Sequence, residues 1–153
     1  MRNTFQNNLD HARAAYLFAI RCLPDPAQLE SGPIHTNGFV FRKRSQIESM
    51  LIELGWAFFC RYESCLEVHL KRAGVHLSKE VSLVAWLEQN NVTIPVDLRP
   101  GLEIYRQIRN KLHHEDGASF SGAPDQEIHL LPQHMENFYQ LFKWCGSRIE
   151  CAG

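Results

Sequence analysis

The chain has 153 residues, with sixteen Lys and Arg against seventeen Asp and Glu, for a net charge of −1. Hydrophobic residues make up 44% and charged residues 22%, ordinary globular values that exclude a disordered chain. The length suits one domain whose core needs no disulfide or metal staple, and the charge excludes nucleic-acid binding through a broadly basic surface.

Apolar spacing predicts the elements in chain order. Phe5, Leu9, Ala12, Tyr16, Ala19 and Leu23 step by four and three, giving a first helix over about 4–22. Asn3 or Thr4 can cap it, and Pro24 helps to end it. Pro26, Gly32 and Pro33 make the stretch from Pro24 to Gly38 a long loop, with room for a helical turn at Ala27–Glu30. The longest helix is expected over about 45–73, on Ile47, Met50, Leu51, Leu54, Phe58, Tyr62, Leu66 and Leu70, with Gly74 as its stop. A short third helix is capped by Ser78, shows Val81, Val84 and Leu87 on one face, and closes at Asn90-Asn91. The fourth opens with Asp97 as cap and tolerates Pro100 in its first turn. Its face is Leu98, Leu102, Tyr105, Ile108 or Arg109, and Leu112, and it ends near His114. An irregular stretch, 116–131, carries Gly117, Gly122 and Pro124, with some strand character only over 127–131. Met135, Phe138, Phe142, Cys145 and Ile149 predict a last helix over about 132–151. The expected fold class is all-α: a single up-and-down helical bundle of about five helices with two long loops, covering 1–153 as one domain.

Five scattered cysteines (Cys22, Cys60, Cys65, Cys145 and Cys151) make no C-x-x-C pair. Reduced thiols in the cytoplasm are the expectation, without a disulfide framework. The N-terminal segment with Asp10, His11 and Arg13 is not a signal peptide, and no apolar run reaches the ~20 residues of a membrane span. Cys65 and His69, four apart on the second helix, form either a thiol–imidazole pair or two buried core side chains. Trp56, Phe58, Phe59, Phe138, Tyr139, Phe142 and Trp144 fall mostly on core positions. No phosphate-loop or nucleophile-elbow motif occurs, so no cofactor is expected.

The densest polar cluster is Arg109-Asn110-Lys111-Leu112-His113-His114-Glu115-Asp116-Gly117. It reads in part as cations favouring a helix C-terminus, followed by a turn. Neighbouring helical residues diverge by ~100°, so the run from His113 to Asp116 does not gather round one ion, and no metal is expected. Arg109, however, borders the apolar stripe between Tyr105 and Leu112, a poor place for an arginine without a partner or a site. An Arg next to imidazoles suits phosphate chemistry: the guanidinium fork matches phosphate oxygens, and His exchanges protons near neutrality. In a continuous helix His113 lies almost above Arg109, whereas His114 lies ~140° aside. Pairing Arg109 with His114 requires either unwinding of the helix or a partner chain that completes the site.

Arg109-Asn110-x-x-x-His114 resembles the Arg-x4–6-His motif of HEPN domains, in which a polar residue often follows the Arg. A small helical bundle with the motif at the end of a late helix is the context of that family. The segment Trp56-x-x-Phe59-x-Arg61-x-Glu63-x-x-Leu66 looks like its long helix facing the motif. The resemblance covers about 47–149 and implies a metal-independent endoribonuclease, often a toxin or defence effector, that works as a homodimer. It implies attack of an RNA 2′-OH on the adjacent phosphate, leaving a 2′,3′-cyclic phosphate and a 5′-OH. His114 is then general acid or base, Arg109 the stabiliser of the phosphoryl charge, and Asn110 an orienting group. Glu63 is the candidate acidic residue of the long helix; its other expectation is a surface salt bridge with Arg61 or Lys71. Lys111 and His113 are candidate RNA contacts. Expected partners are RNA, a second copy and an antitoxin, with no membrane. The alternative is a HEPN-like module that binds protein or RNA without catalysis. The stretch 116–131 is placed to cover the motif as a lid.

Overall fold

The structure is a computed structural model that describes residues 4–78, 81–114 and 130–152, with the backbone alone at positions 110–114 and 152. The described residues form five α-helices: α1 (Thr4–Arg21), α2 (Arg44–Arg72), α3 (Leu83–Gln89), α4 (Arg99–His114) and α5 (Pro132–Ala152). The all-α expectation holds, and helix ends fall within a few residues of those read from spacing. No helix among the described residues is long and apolar enough to cross a membrane.

The loop before α2 contains more order than its prolines announce. A 3-10 helix, Pro26–Ser31, is capped by Asp25, whose carboxylate accepts from the Ala27 N–H. After it, β1 (Ile34–Thr36) and β2 (Phe39–Phe41) pair antiparallel, with Thr36 opposite Phe39 and Ile34 opposite Phe41. Asn37 and Gly38, at φ 49° and 77°, make the two-residue turn between them. Both positions need positive φ, which Asn and Gly supply at least cost. The hairpin buries Phe41 beside the start of α2 and leaves Phe39 half exposed.

Two helix starts differ from expectation. Ser82, not Ser78, caps α3, accepting from the Ala85 N–H at 3.2 Å. Ser78 instead closes a preceding turn with Val81, through both its hydroxyl and its backbone N–H. Leu98, not Asp97, stands at the start of α4, and its carbonyl accepts from the Leu102 N–H. The helix begins at Arg99, so Pro100 falls where its missing N–H removes no helical bond.

The core is one cluster to which all five helices contribute buried residues. Phe59 is its hub, with ring centroids 5.0 Å from Phe138, 6.0 Å from Phe142 and 6.4 Å from Tyr105. All five periodic residues of α5, from Met135 to Ile149, are buried, as are Phe5, Leu9, Ala12 and Tyr16 of α1. Trp56, Phe58 and Trp144 pack at its margin. Two glycines make room for close neighbours. A Cβ at Gly55 on α2 would collide with the Leu130 carbonyl, and one at Gly146 on α5 would collide with the Phe5 ring.

One core position carries a polar cost. The Tyr16 hydroxyl is buried and has no hydrogen-bond partner among the described residues. Burial also pushes its pKa up, which keeps it a neutral, unsatisfied donor. A buried unmade hydrogen bond costs ~1–3 kcal/mol. Tyr16→Phe is therefore expected to stabilise the protein by roughly 1 kcal/mol in urea unfolding; a loss instead would mean the hydroxyl has a partner.

Candidate functional site

The site lies where α4 runs beside the C-terminal half of α2. Tyr105 and Arg109 are four apart on α4, and Glu63 and Glu67 are four apart on α2. Each pair therefore projects from one face of its helix. Arg109 Nε lies 3.7 Å from Glu63 Oε1, and Arg109 Nη2 donates to Glu67 Oε1 at 3.2 Å. The Tyr105 hydroxyl donates to the same Glu63 oxygen at 3.4 Å. Glu63 is the only buried charged residue among those described, at 7% exposure. The arginine on the edge of the apolar stripe has thus found its partners in two carboxylates. The surface pairing of Glu63 with Arg61 or Lys71 is replaced by an ion pair to α4.

Burial and the neighbouring Glu63 charge push the Tyr105 phenol far above its ordinary pKa, so it stays a neutral donor. With Tyr105 and Arg109 both aimed at it, Glu63 has what a buried carboxylate needs. The guanidinium approaches Glu63 through Nε and Glu67 through Nη2.

A cavity of about 80 Å³ opens beside Arg109, with Glu67, Lys71, Val75 and His76 on its wall. Its far side is set by the end of α2. Gly74, at φ 72°, turns the chain back. The Gly74 N–H bonds to the Lys71 carbonyl at 3.1 Å, and the Val75 N–H to the Leu70 carbonyl at 2.9 Å. This paired bonding is the Schellman ending of a helix, and burial of Val75 locks it.

Asn110, Lys111, His113 and His114 continue α4 as backbone, and their side chains lie outside the described residues. So does the proposed lid, apart from Leu130 and Leu131. The helix does not unwind before His114. At ~100° per residue, position 114 stands ~140° round α4 from position 109. Helix register alone therefore does not bring the two together within one chain.

Cys65 and His69 resolve into core packing. His69 Nε2 is 3.2 Å from the Gly146 carbonyl, and its ring stacks on Phe5 at 4.4 Å. Burial raises the Cys65 thiol pKa, which disfavours a reactive thiolate. No group of three or more metal-ligating side chains gathers among the described residues. Glu67, His76 and the Tyr105 hydroxyl were not singled out from the sequence as site groups. Glu67 was within reach, because it follows Glu63 by one helical turn. His76 had no local signal, since only the folded turn brings it to α4. Set beside protein-family models, curated proteins and solved structures, the chain matches none.

Proposed function

We propose that the chain is a HEPN-like, metal-independent endoribonuclease that acts in the cytoplasm as a homodimer, in a toxin–antitoxin or defence setting. The observation that carries this is the placement of Arg109. It sits near the end of a late helix, held by two carboxylates of the long helix, beside a small cavity. That orientation is what phosphoryl chemistry asks of an arginine, a donor fork fixed before the charge develops.

In this reading the RNA 2′-OH loses its proton to His114 as general base and attacks the adjacent phosphorus. The bond to the 5′-oxygen breaks, and that oxygen takes a proton from a general acid. Arg109 stabilises the charge on the phosphoryl oxygens, while Asn110 orients the phosphate. Glu63 acts through Arg109, as a positioning residue. Lys111 and His113 contact the RNA backbone. Because position 114 stands well round the helix from position 109, a second copy supplies the missing half of the site. An antitoxin would act by covering this cleft.

The second reading, a binding module without catalysis, also has an observation in its favour. Two carboxylates already balance the guanidinium, leaving it less charge for a phosphate. Cleavage of RNA with EDTA present decides between them. Wild type is expected to cleave, His114→Ala to lose ~10²–10⁴-fold, and Arg109→Lys ~10²–10³-fold. Arg109→Lys keeps the charge and loses the fork, so it tests the geometry. Absence of cleavage by folded wild type, or intact cleavage in both variants, ends the catalytic reading.

A further inference from the structure

The mechanism above leaves one histidine of the cavity unused. His76 follows the Gly74 turn, Lys71 stands in the last turn of α2, and Arg109 comes from α4. All three line the same space of about 80 Å³, as does Glu67. We propose that Lys71, His76 and Arg109 form a phosphate-binding subsite within a single chain, one that takes a phosphodiester of RNA. The identity of that ligand rests on the ribonuclease reading.

Size, rigidity and charge support the subsite. The cavity is far smaller than the ~300–1,000 Å³ of pockets for whole small molecules, so it suits a compact anion and not a nucleoside. His76 does not hang on a loose loop, because the preceding Val75 is buried and its N–H is bonded back to Leu70. Glu67 engages Nη2 and Glu63 lies against Nε, which holds the guanidinium in place beside the cavity. Lys71 adds a second cation, and the His76 imidazole offers an N–H donor. The Glu67 carboxylate also repels an anion, so the subsite holds phosphate weakly and releases it readily. Among the described residues, the imidazole that lines this cavity with Arg109 is that of His76.

The test follows imidazole proton signals by NMR at constant pH, with two probes. Inorganic phosphate is expected to move the His76 signal saturably while leaving that of His35, exposed on β1, in place. Lys71→Gln, an exposed substitution that spares the core, is expected to weaken the response at least tenfold. A 2′-O-methyl RNA oligonucleotide, which lacks the attacking hydroxyl, is expected to displace phosphate. Equal movement of His76 and His35, or an unchanged response in Lys71→Gln, overturns the subsite. Phosphate binding that the oligonucleotide does not compete with overturns RNA as its ligand. Phosphate and oligonucleotide binding without cleavage supports the subsite while ending the ribonuclease reading. Cleavage with no phosphate response does the reverse.

Discussion

Arg109→Ala is expected to destabilise the protein by about 2–3 kcal/mol, measured as a lower urea midpoint at unchanged slope. The substitution removes the cation beside Glu63, a carboxylate only 7% exposed that also accepts from the Tyr105 hydroxyl. Breaking a fully buried pair costs ~3–5 kcal/mol, mostly as the penalty of an uncompensated charge. Here the arginine and Glu67 side chains are 23% and 24% exposed, so water relieves part of that penalty. The double variant Glu63→Gln with Arg109→Met is expected to recover most of the loss, since no charge is left at the buried position and Glu67, 24% exposed, is hydrated. If the double variant is as unstable as Arg109→Ala, the ion pair is not what holds α4 to α2. The comparison also protects the activity test: lost cleavage in Arg109→Ala confounds folding with chemistry, which is why Arg109→Lys carries that test.

Gly55→Ala is expected to cost about 3 kcal/mol, at the upper end of overpacking penalties, because the obstacle is backbone. The added Cβ meets the carbonyl oxygen of Leu130, with the Leu130 carbonyl carbon and Cβ both at 3.0 Å. Leu130 is fully buried and its chain leads directly into α5, so it cannot step aside without moving that helix. At ~2–4 °C per kcal/mol for a domain of this size, the midpoint of thermal unfolding should fall by roughly 6–12 °C. Gly146→Ala should cost less, because its obstacle is the Phe5 ring, a side chain that can turn. A thermal midpoint for Gly55→Ala within 1–2 °C of wild type would mean that Leu130 does not press on α2 there.

Helical periodicity carried most of the fold. The residues chosen for α1 and α5 by their three–four spacing are nearly all buried, because a helix facing a core must repeat apolar groups at that interval. The hairpin was missed for a definite reason. Its strands are three residues each, too short for alternation to register, and the prolines nearby argued for loop. Asn37-Gly38 was the available signal, a dipeptide that favours the tight turn of a two-residue hairpin. Ser78 and Asp97 have the residue types of helix caps, yet the helices start later, after Ser82 and Leu98, and residue type alone does not fix a helix end to the residue. At the candidate site, the position of Arg109 on the stripe announced a partner, but nothing local in the sequence named Glu63 as that partner. The second carboxylate, the cavity and His76 depend on how α2 and α4 cross, which no local pattern encodes.

The pairing of α1 with α5 has a consequence for how the chain reaches this fold. Arg13 meets Glu136 at 2.7 Å and Tyr139 donates to Asp10 at 2.7 Å, contacts that span 123 and 129 positions of sequence. The ring of Phe59, on α2, is completed by Phe138 and Phe142 of the last helix. Helical bundles usually fold fast because their contacts are local. In this one, the first and last helices close the core together, so much of the loop-closure entropy is spent before the reward arrives. On the ribosome, α1 and α2 can pack on each other early, yet the faces they turn to α5 stay exposed until it emerges. The interval between their synthesis and that closure is when the chain is most open to chaperones and to aggregation.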